Sequence, residues 1–358
     1  MAIIKIPTKD AKVIDEAEDE NIASNYSITS YGLDFDVDGL VKRIIRKDIF
    51  VPQFQREFVW NRKQASRFIE SLLLGLPVPG IFLSRERESQ KLLVIDGQQR
   101  LFSLLYFYEG IFADSGEEFV LTGLKTKFNG KKYKTLLPED KRKLDDSAIH
   151  ATIIRQDEPD DGDSSIYSVF ERLNTGGVLL QPQEIRGALY HGAFNDLLSQ
   201  LSSNSSWREL YGLESPRKKD EELILRFFAL YFETGSYKQP MKEFLNNYMG
   251  GNRDFALQSR SQLTDVFSKV IEVIEKYLGT RAFKPKTALN AAVYDSLMVG
   301  VARRLEKGTI EDRIEFIRQY DELLKNSAYV DSTETGTSSD RNVKARIELA
   351  TEAFKNIS

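Results

Sequence analysis

The sequence of 358 residues contains no cysteine and only two histidines, His150 and His191. The absence of cysteine excludes disulfides, thiol catalysis and thiolate zinc sites, and it agrees with a cytoplasmic location. Two histidines are too few for a three-histidine metal site. No stretch reaches the roughly 20 apolar residues that a membrane span requires, and no apolar run follows a basic start as in a secretory signal. We therefore expect a cytoplasmic protein without a membrane partner.

The formal net charge of -4 hides an uneven distribution along the chain. Residues 1–40 hold three lysines and nine acidic residues, whereas residues 41–100 hold twelve basic and six acidic ones. One interpretation is an acidic arm followed by an ordinary solvated surface, and the other is a cationic pocket for phosphate that the arm shields. If the protein binds DNA, the candidate phosphate contacts are Lys42, Arg43, Arg46, Lys47, Lys131 and Lys132.

The hydrophobic pattern changes its period along the chain and predicts a mixed, α+β fold. Short apolar runs such as Ile81–Leu83 and Leu92–Ile95 are typical of buried strands, and they alternate with segments of helical spacing. After the acidic loop Asp157–Asp163, one helical stripe follows another. We predict an acidic flexible arm at residues 1–32, a small α/β domain at residues 33–156 and a mostly helical domain at residues 157–358.

The sharpest local signal is the sequence Asp96-Gly97-Gln98-Gln99-Arg100. Asp96 ends an apolar run, Gly97 permits a tight turn, and helical spacing begins directly afterwards. Backbone N–H groups at a helix N-terminus bind anions, and an arginine adds a forked donor for phosphate oxygens. A polar, exposed turn that only caps the helix is the structural alternative.

Two further segments combine polar and backbone features that suit a binding site. Residues 51–60 (VPQFQREFVW) are expected to be extended, because Pro52 disfavours helix before it. Residues 170–177 (FERLNTGG) place two glycines after a helix, and Pro182 suits the first position of the next one. An edge strand and ordinary helix capping, respectively, are the structural alternatives.

Together these three motifs resemble the N-terminal domain family of GmrSD-type modification-dependent restriction proteins. That domain is related to the ParB/sulfiredoxin-like fold, and the resemblance covers roughly residues 35–195 closely. It implies nucleotide chemistry, since family members and ParB relatives bind nucleoside triphosphates and several hydrolyse them, mostly in prokaryotic anti-phage defence. The resemblance therefore implies a ParB/sulfiredoxin-like α/β domain at residues 33–156.

The resemblance also implies roles for individual residues. Asp96, Gln98, Gln99 and Arg100 would be catalytic, and Asp96 would hold Mg²⁺-bound or attacking water that a glutamine orients. The residues implied to bind the nucleotide are Gln55, Arg56, Gly97, Arg172, Asn174 and Arg186. Among these, Arg56 would join Arg100 in neutralising phosphate charge.

One departure from the fuller restriction proteins limits the prediction. Those proteins carry a histidine-dependent nuclease domain further along the chain, whereas no histidine follows His191 here. We expect no such nuclease, and we interpret His150, in the apolar run of residues 148–154, as structural. The leading hypothesis is a triphosphate-binding and hydrolysing switch protein of a defence or restriction system, which meets a defence partner protein. The alternatives are a DNA-binding or modified-DNA-sensing module that works with a separate nuclease, or a ParB-like nuclease.

Overall fold

The computed structural model describes residues 13–14, 27–51, 58–86, 89–158, 164–173 and 181–358. The chain divides into two compact units. The α/β unit consists of Asn25–Asp160 and Ser165–Leu179, and the helical unit of Met1–Ser24, Asp161–Ser164 and Leu180–Ser358. The division thus groups residues 165–179 with the α/β unit, whereas the sequence assigns them to the start of the helical domain.

A mixed five-stranded sheet forms the centre of the α/β unit. The strands in chain order are β1 (Val13–Ile14), β2 (Ser27–Asp36), β3 (Ile49–Phe50), β4 (Ile81–Arg85), β5 (Leu92–Asp96), β6 (Ala148–Glu158) and β7 (Leu289–Asn290). The sheet has the order β2-β6-β4-β5-β3. The pairs β2–β6 and β4–β5 are antiparallel, and the pairs β6–β4 and β5–β3 are parallel. A mixed sheet joined to a helical part confirms the predicted α+β class.

One face of this sheet carries the hydrophobic core of the α/β unit. The helices of the unit are α1 (Val37–Ile45), α2 (Arg62–Leu74), α3 (Gln98–Glu109), α4 (Pro138–Asp145) and α5 (Ser164–Leu173). Alternate strand residues such as Leu83, Val94 and Ile153 join apolar residues of α1, α2 and α3 in one buried cluster. The alternation follows from the two-residue period of a strand, which sends successive side chains to opposite faces.

Residues that are close in the sequence define both ends of α2. The Asn61 side chain accepts from the Gln64 N–H at 3.0 Å, and the Gln64 side chain accepts from the Asn61 N–H at 2.9 Å. This reciprocal pair is a capping box. Gly75 ends the helix with a φ of 73°, in the left-handed region that glycine adopts without a steric cost.

The long pairing of β2 with β6 differs from the sequence prediction. The register runs from Ser27 opposite Glu158 to Asp36 opposite Ala148, so residues 27–32, which the sequence assigns to the flexible arm, are part of the sheet. Asn-Gly between lysine-rich residues is typical of a β-hairpin, but residues 127–130 form a turn that strands do not flank. The short polar link between the apolar runs at residues 81–83 and 92–95 favours a hairpin, and β4 and β5 are indeed antiparallel.

The second unit is built of helices around α12, whose residues are buried on nearly every side. The helices are α6 (Pro182–Leu189), α7 (Ala193–Ser202), α8 (Ser205–Tyr211), α9 (Lys219–Glu233), α10 (Met241–Gly251), α11 (Arg260–Leu278), α12 (Ala291–Leu305), α13 (Arg313–Leu323), α14 (Ser327–Glu334) and α15 (Asp340–Phe354). In the described part of the chain, none of the helices has the length and apolar character needed to cross a membrane.

Candidate functional site

The turn between β5 and α3 depends on the absence of a side chain at Gly97. Its φ is 105°, a conformation that L side chains rarely adopt. A Cβ at this position would lie 2.4 Å from Cγ2 of Ile81 in β4. The helix therefore starts pressed against the neighbouring strand, with its N-terminus at the end of the sheet.

An ion pair spans the first turn of α3. Nη2 of Arg100 donates to Oδ2 of Asp96 at 2.6 Å. The Asp96 side chain is 51% exposed and that of Arg100 14% exposed, so the pair lies at the surface with the guanidinium on the inner side. The structure thus brings together the two charged residues of the predicted motif.

Two features leave this helix end suited to an anion. Gly97, the N-cap residue of α3, has no side chain that could cap the helix, and the first amides of any helix lack an acceptor within the helix. Nε of Arg100 is buried and has no hydrogen-bond partner in the described structure. Helix amides, the positive end of the helix dipole and a guanidinium N–H are the groups that bind phosphate and carboxylate oxygens.

Gln99 has a structural contact that the motif alone does not reveal. Its Oε1 accepts from the backbone N–H of Val59 at 2.9 Å and from that of Trp60 at 3.1 Å. These two residues end the 51–60 motif. Gln99 therefore ties that motif to the first turn of α3 and positions it, and the predicted catalytic roles of Gln98 and Gln99 stay predictions.

Aromatic contacts fix the same segment from its other side. Phe58 packs edge-on against Tyr106 of α3, with ring centroids 5.2 Å apart, and against Phe112 at 5.6 Å. Trp60 packs against Phe68 of α2 at 5.9 Å. These ring contacts hold Phe58 and Trp60 against α3 and α2.

The structure describes only some of the other predicted nucleotide-binding residues. Gln55, Arg56 and Asn174 lie outside the described residues. Arg172 is exposed in the last turn of α5, in the α/β unit. For these residues the predicted role stays a prediction.

Arg186 belongs to the helical unit and is 1% exposed. It donates to Asn246 at 2.8 Å and to Glu222 at 2.9 Å. Burial alone would raise the pKa of Glu222, but the cations Lys219 and Arg186 beside it hold that pKa at about 2. Arg186 thus has a structural function inside the helical unit, and its nucleotide-binding role stays a prediction.

The candidate DNA contacts are partly occupied by neighbouring carboxylates. Lys42 pairs with Asp38 at 2.6 Å, Arg46 pairs with Asp48 at 3.1 Å, and Lys132 pairs with Glu118. The guanidinium of Arg43 lies 5.4 Å from the ring centroid of Phe35. Together with Lys47 and Lys131, these residues remain candidates for phosphate contacts.

His150 is exposed, although its apolar surroundings in the sequence favour a structural role. Its side chain is 59% exposed, and Nδ1 lies 2.8 Å from Oδ1 of Asp34, which is 69% exposed. Asp34 is directly opposite His150 in the β2–β6 register. Sequence spacing could not find this pair, because the two residues are 116 positions apart.

The described residues contain no group of three or more histidine, aspartate or glutamate side chains that could hold a metal ion. Asp96 is a single carboxylate with Oδ2 engaged by Arg100. Because Mg²⁺ in phosphate sites is held by one or two carboxylates together with water and substrate oxygens, Asp96 fits this ion only when a phosphate supplies further ligands.

The fold and the site define a class of protein in which a mixed-sheet α/β unit presents a polar strand–turn–helix and is followed by a helical unit. Residues 37–191 match the model of the family described as "GmrSD restriction endonuclease, N-terminal domain". This part of the chain is therefore similar to the GmrSD N-terminal domain, as its motifs predict. The match includes Asp96–Arg100 and extends to α6.

One curated relative is an uncharacterized protein of Methanocaldococcus jannaschii. It is 33% identical over 91 residues, and the alignment covers 19% of the present chain and 16% of that protein. The similarity thus concerns a small part of the relative's length.

Proposed function

We propose that this protein is a nucleoside-triphosphate-binding and hydrolysing switch of a restriction-type, cytoplasmic defence system. The observation that carries the proposal is the N-terminus of α3, with glycine as its N-cap residue and Arg100 in its first turn, paired with Asp96. The family description names a restriction endonuclease, which favours a role in defence. DNA and a separate nuclease are the partners that this proposal includes.

The ion pair between Asp96 and Arg100 supports binding of a magnesium–triphosphate complex. The phosphate accepts from Arg100 and from the helix amides, while Mg²⁺ approaches Asp96. Arg100 then exchanges the carboxylate of Asp96 for an anionic phosphate. Asp96 exchanges the guanidinium of Arg100 for Mg²⁺, so that neither charge is left uncompensated. An anion alone would compete with Asp96 for the guanidinium, whereas the metal complex satisfies both residues.

The remaining residues of the motif have complementary roles in the proposal. Gly97 allows the phosphate to approach the backbone closely, because it has no side chain. Gln98 orients the attacking water, and Gln99 keeps residues 58–60 beside the site. Gln55, Arg56, Arg172 and Asn174 complete it as further nucleotide-binding residues. A γ-phosphate that orders such arginines provides the usual basis of a switch.

Binding and phosphate release test the proposal with each of the four ribonucleoside triphosphates and Mg²⁺. We expect Arg100→Ala to weaken binding about 10- to 100-fold, because a charge-assisted hydrogen bond contributes roughly 1.5–3 kcal/mol. We expect Asp96→Ala to abolish hydrolysis, because the metal and the water lose their anchor. Arg67→Ala is the matched control, since Arg67 is exposed on α2.

Unchanged binding and hydrolysis in both variants would contradict the assignment of the site. A wild-type protein that binds none of the triphosphates at millimolar concentration would contradict the proposed function as a whole.

A further inference from the structure

The side chains of Asp34 and His150 form an exposed pair on two neighbouring strands of the sheet. A Cβ added to Gly32 would lie 2.7 Å from Cε1 of His150, so the imidazole lies directly over this glycine. On the other side, a Cβ added to Gly80 would lie 2.8 Å from the backbone oxygen of His150. Gly32 thus leaves room for the imidazole to lie against the sheet, and Gly80 lets the chain before β4 approach the backbone of His150 closely.

The register places this pair on the same face of the sheet as Asp96. Phe82 of β4 lies opposite Thr152 of β6 and, beyond a register shift between Phe82 and Leu83, opposite Asp96 of β5. Because directly opposite residues share a face and a strand alternates with a period of two, His150 shares that face as well. The residues between, Ala151 and Ile153, belong to the core on the opposite face.

The distance between the two places is that of one small ligand. Strand geometry puts the Cα atoms of Asp96 and His150 about 12 Å apart, two strand spacings across the sheet and two residues along it. Gly97 contacts Ile81, whose opposite residue in β6 is Ala151. The N-terminus of α3 therefore lies at the end of the sheet that carries His150.

The hydrogen bond between the two side chains determines what they can offer a ligand. A carboxylate only accepts, so Nδ1 of His150 carries the proton toward Asp34, and Nε2 of the neutral ring is an acceptor. Oδ2 of Asp34 is a second acceptor. Two adjacent acceptors, one of them anionic, disfavour phosphate and favour a ligand group with neighbouring hydroxyl donors.

We propose that Asp34 and His150 form the sugar subsite of the nucleotide site and accept hydrogen bonds from the ribose hydroxyls. This inference rests on the proposed function. In this arrangement the phosphates bind at α3 and Arg100, and the sugar lies beside Asp34 and His150. The half-buried Phe82 and Thr152 lie between Asp96 and His150 on the sheet. A carboxylate is the group that dinucleotide-binding folds use for ribose hydroxyls. The ligand class is therefore a ribonucleoside triphosphate as opposed to a deoxyribonucleoside triphosphate.

The test compares dissociation constants of the full chain, with Mg²⁺, for the best-bound ribonucleoside triphosphate and for its 2′-deoxy and 3′-deoxy counterparts. We expect the wild type to prefer the ribonucleotide about tenfold or more, because it loses a hydrogen bond to each missing hydroxyl. In each of His150→Ala and Asp34→Ala the preference falls to about one over the counterpart that lacks the hydroxyl bound by that residue, while the affinity for this counterpart stays unchanged. A residue that only supported the fold would change the affinity for all three ligands alike.

Two further variants complete the design. His150→Gln keeps an acceptor and restores part of the preference, whereas His191→Ala, a change of the second histidine in the helical unit, keeps the wild-type ratio. Equal affinity of the wild type for the ribo and deoxy forms overturns the sugar subsite alone, and so does a parallel loss in the variants. If the wild type binds no triphosphate at all, the proposed function fails and the subsite fails with it.

Discussion

At the scale of the residue, Gly97 is the position where one added methyl group has the largest expected effect. Gly97→Ala introduces a side chain at a φ of 105° and places its Cβ 2.4 Å from Ile81. We expect the free energy of unfolding to fall by about 2 kcal/mol or more, because left-handed strain and steric overlap add. Urea unfolding measures this change, and the triphosphate affinity should fall with it.

Gly110, at the other end of α3, provides a matched control. Its φ is 85°, but a Cβ there would meet nothing within 4 Å. Gly110→Ala therefore reports the backbone strain without the overlap. A similar loss of stability in both variants would show that the close approach of Gly97 to β4 is unimportant.

At the scale of the element, Gln99 couples the segment after the 51–60 motif to α3. Gln99→Ala leaves the N–H groups of Val59 and Trp60, which are exposed and part-buried, without their side-chain acceptor, and a hydrogen bond of this kind contributes about 1 kcal/mol. We expect faster hydrogen exchange at these two amides. Gln99→Glu keeps an acceptor and should keep the protection, so equal exchange in the wild type and Gln99→Ala would argue against the positioning role.

In these elements, local features could be predicted from the sequence, whereas contacts between distant residues could not. The capping box at Asn61, the end of α2 at Gly75 and the strand–turn–helix at Asp96 follow from residues a few positions apart, and all three could be predicted. The contacts of Gln99 with Val59 and of His150 with Asp34 join residues far apart in the chain. No local spacing encodes such contacts, since they depend on which strands and helices become neighbours. The apolar run around His150 therefore predicts a structural residue and does not reveal its contact with Asp34.

At the scale of the whole molecule, the helical unit contains a buried charge cluster that its packing must support. Asp295 of α12 is fully buried, and it accepts from Arg226 of α9 at 2.7 Å and from Arg346 of α15 at 2.9 Å. Burial alone would raise the pKa of Asp295, but the two arginines hold it below its ordinary value. The carboxylate thus links three helices that are distant in sequence.

This arrangement predicts a large and specific effect of one substitution. Asp295→Asn removes the negative charge that Arg226 and Arg346 share, and breaking such a buried pair costs about 3 kcal/mol or more. The depressed pKa means that this stabilisation is present above the ordinary carboxyl range and is lost as the pH falls below it. Hydrogen exchange in α9, α12 and α15 at neutral pH measures the loss.

Asp321→Asn is the control, because Asp321 and its partner Arg281 are 41% and 49% exposed and an exposed pair contributes less than about 1 kcal/mol. If both variants lost the same small amount, the buried cluster would contribute no more than an ordinary surface ion pair, and the packing of α9, α12 and α15 would have to depend on their apolar residues alone.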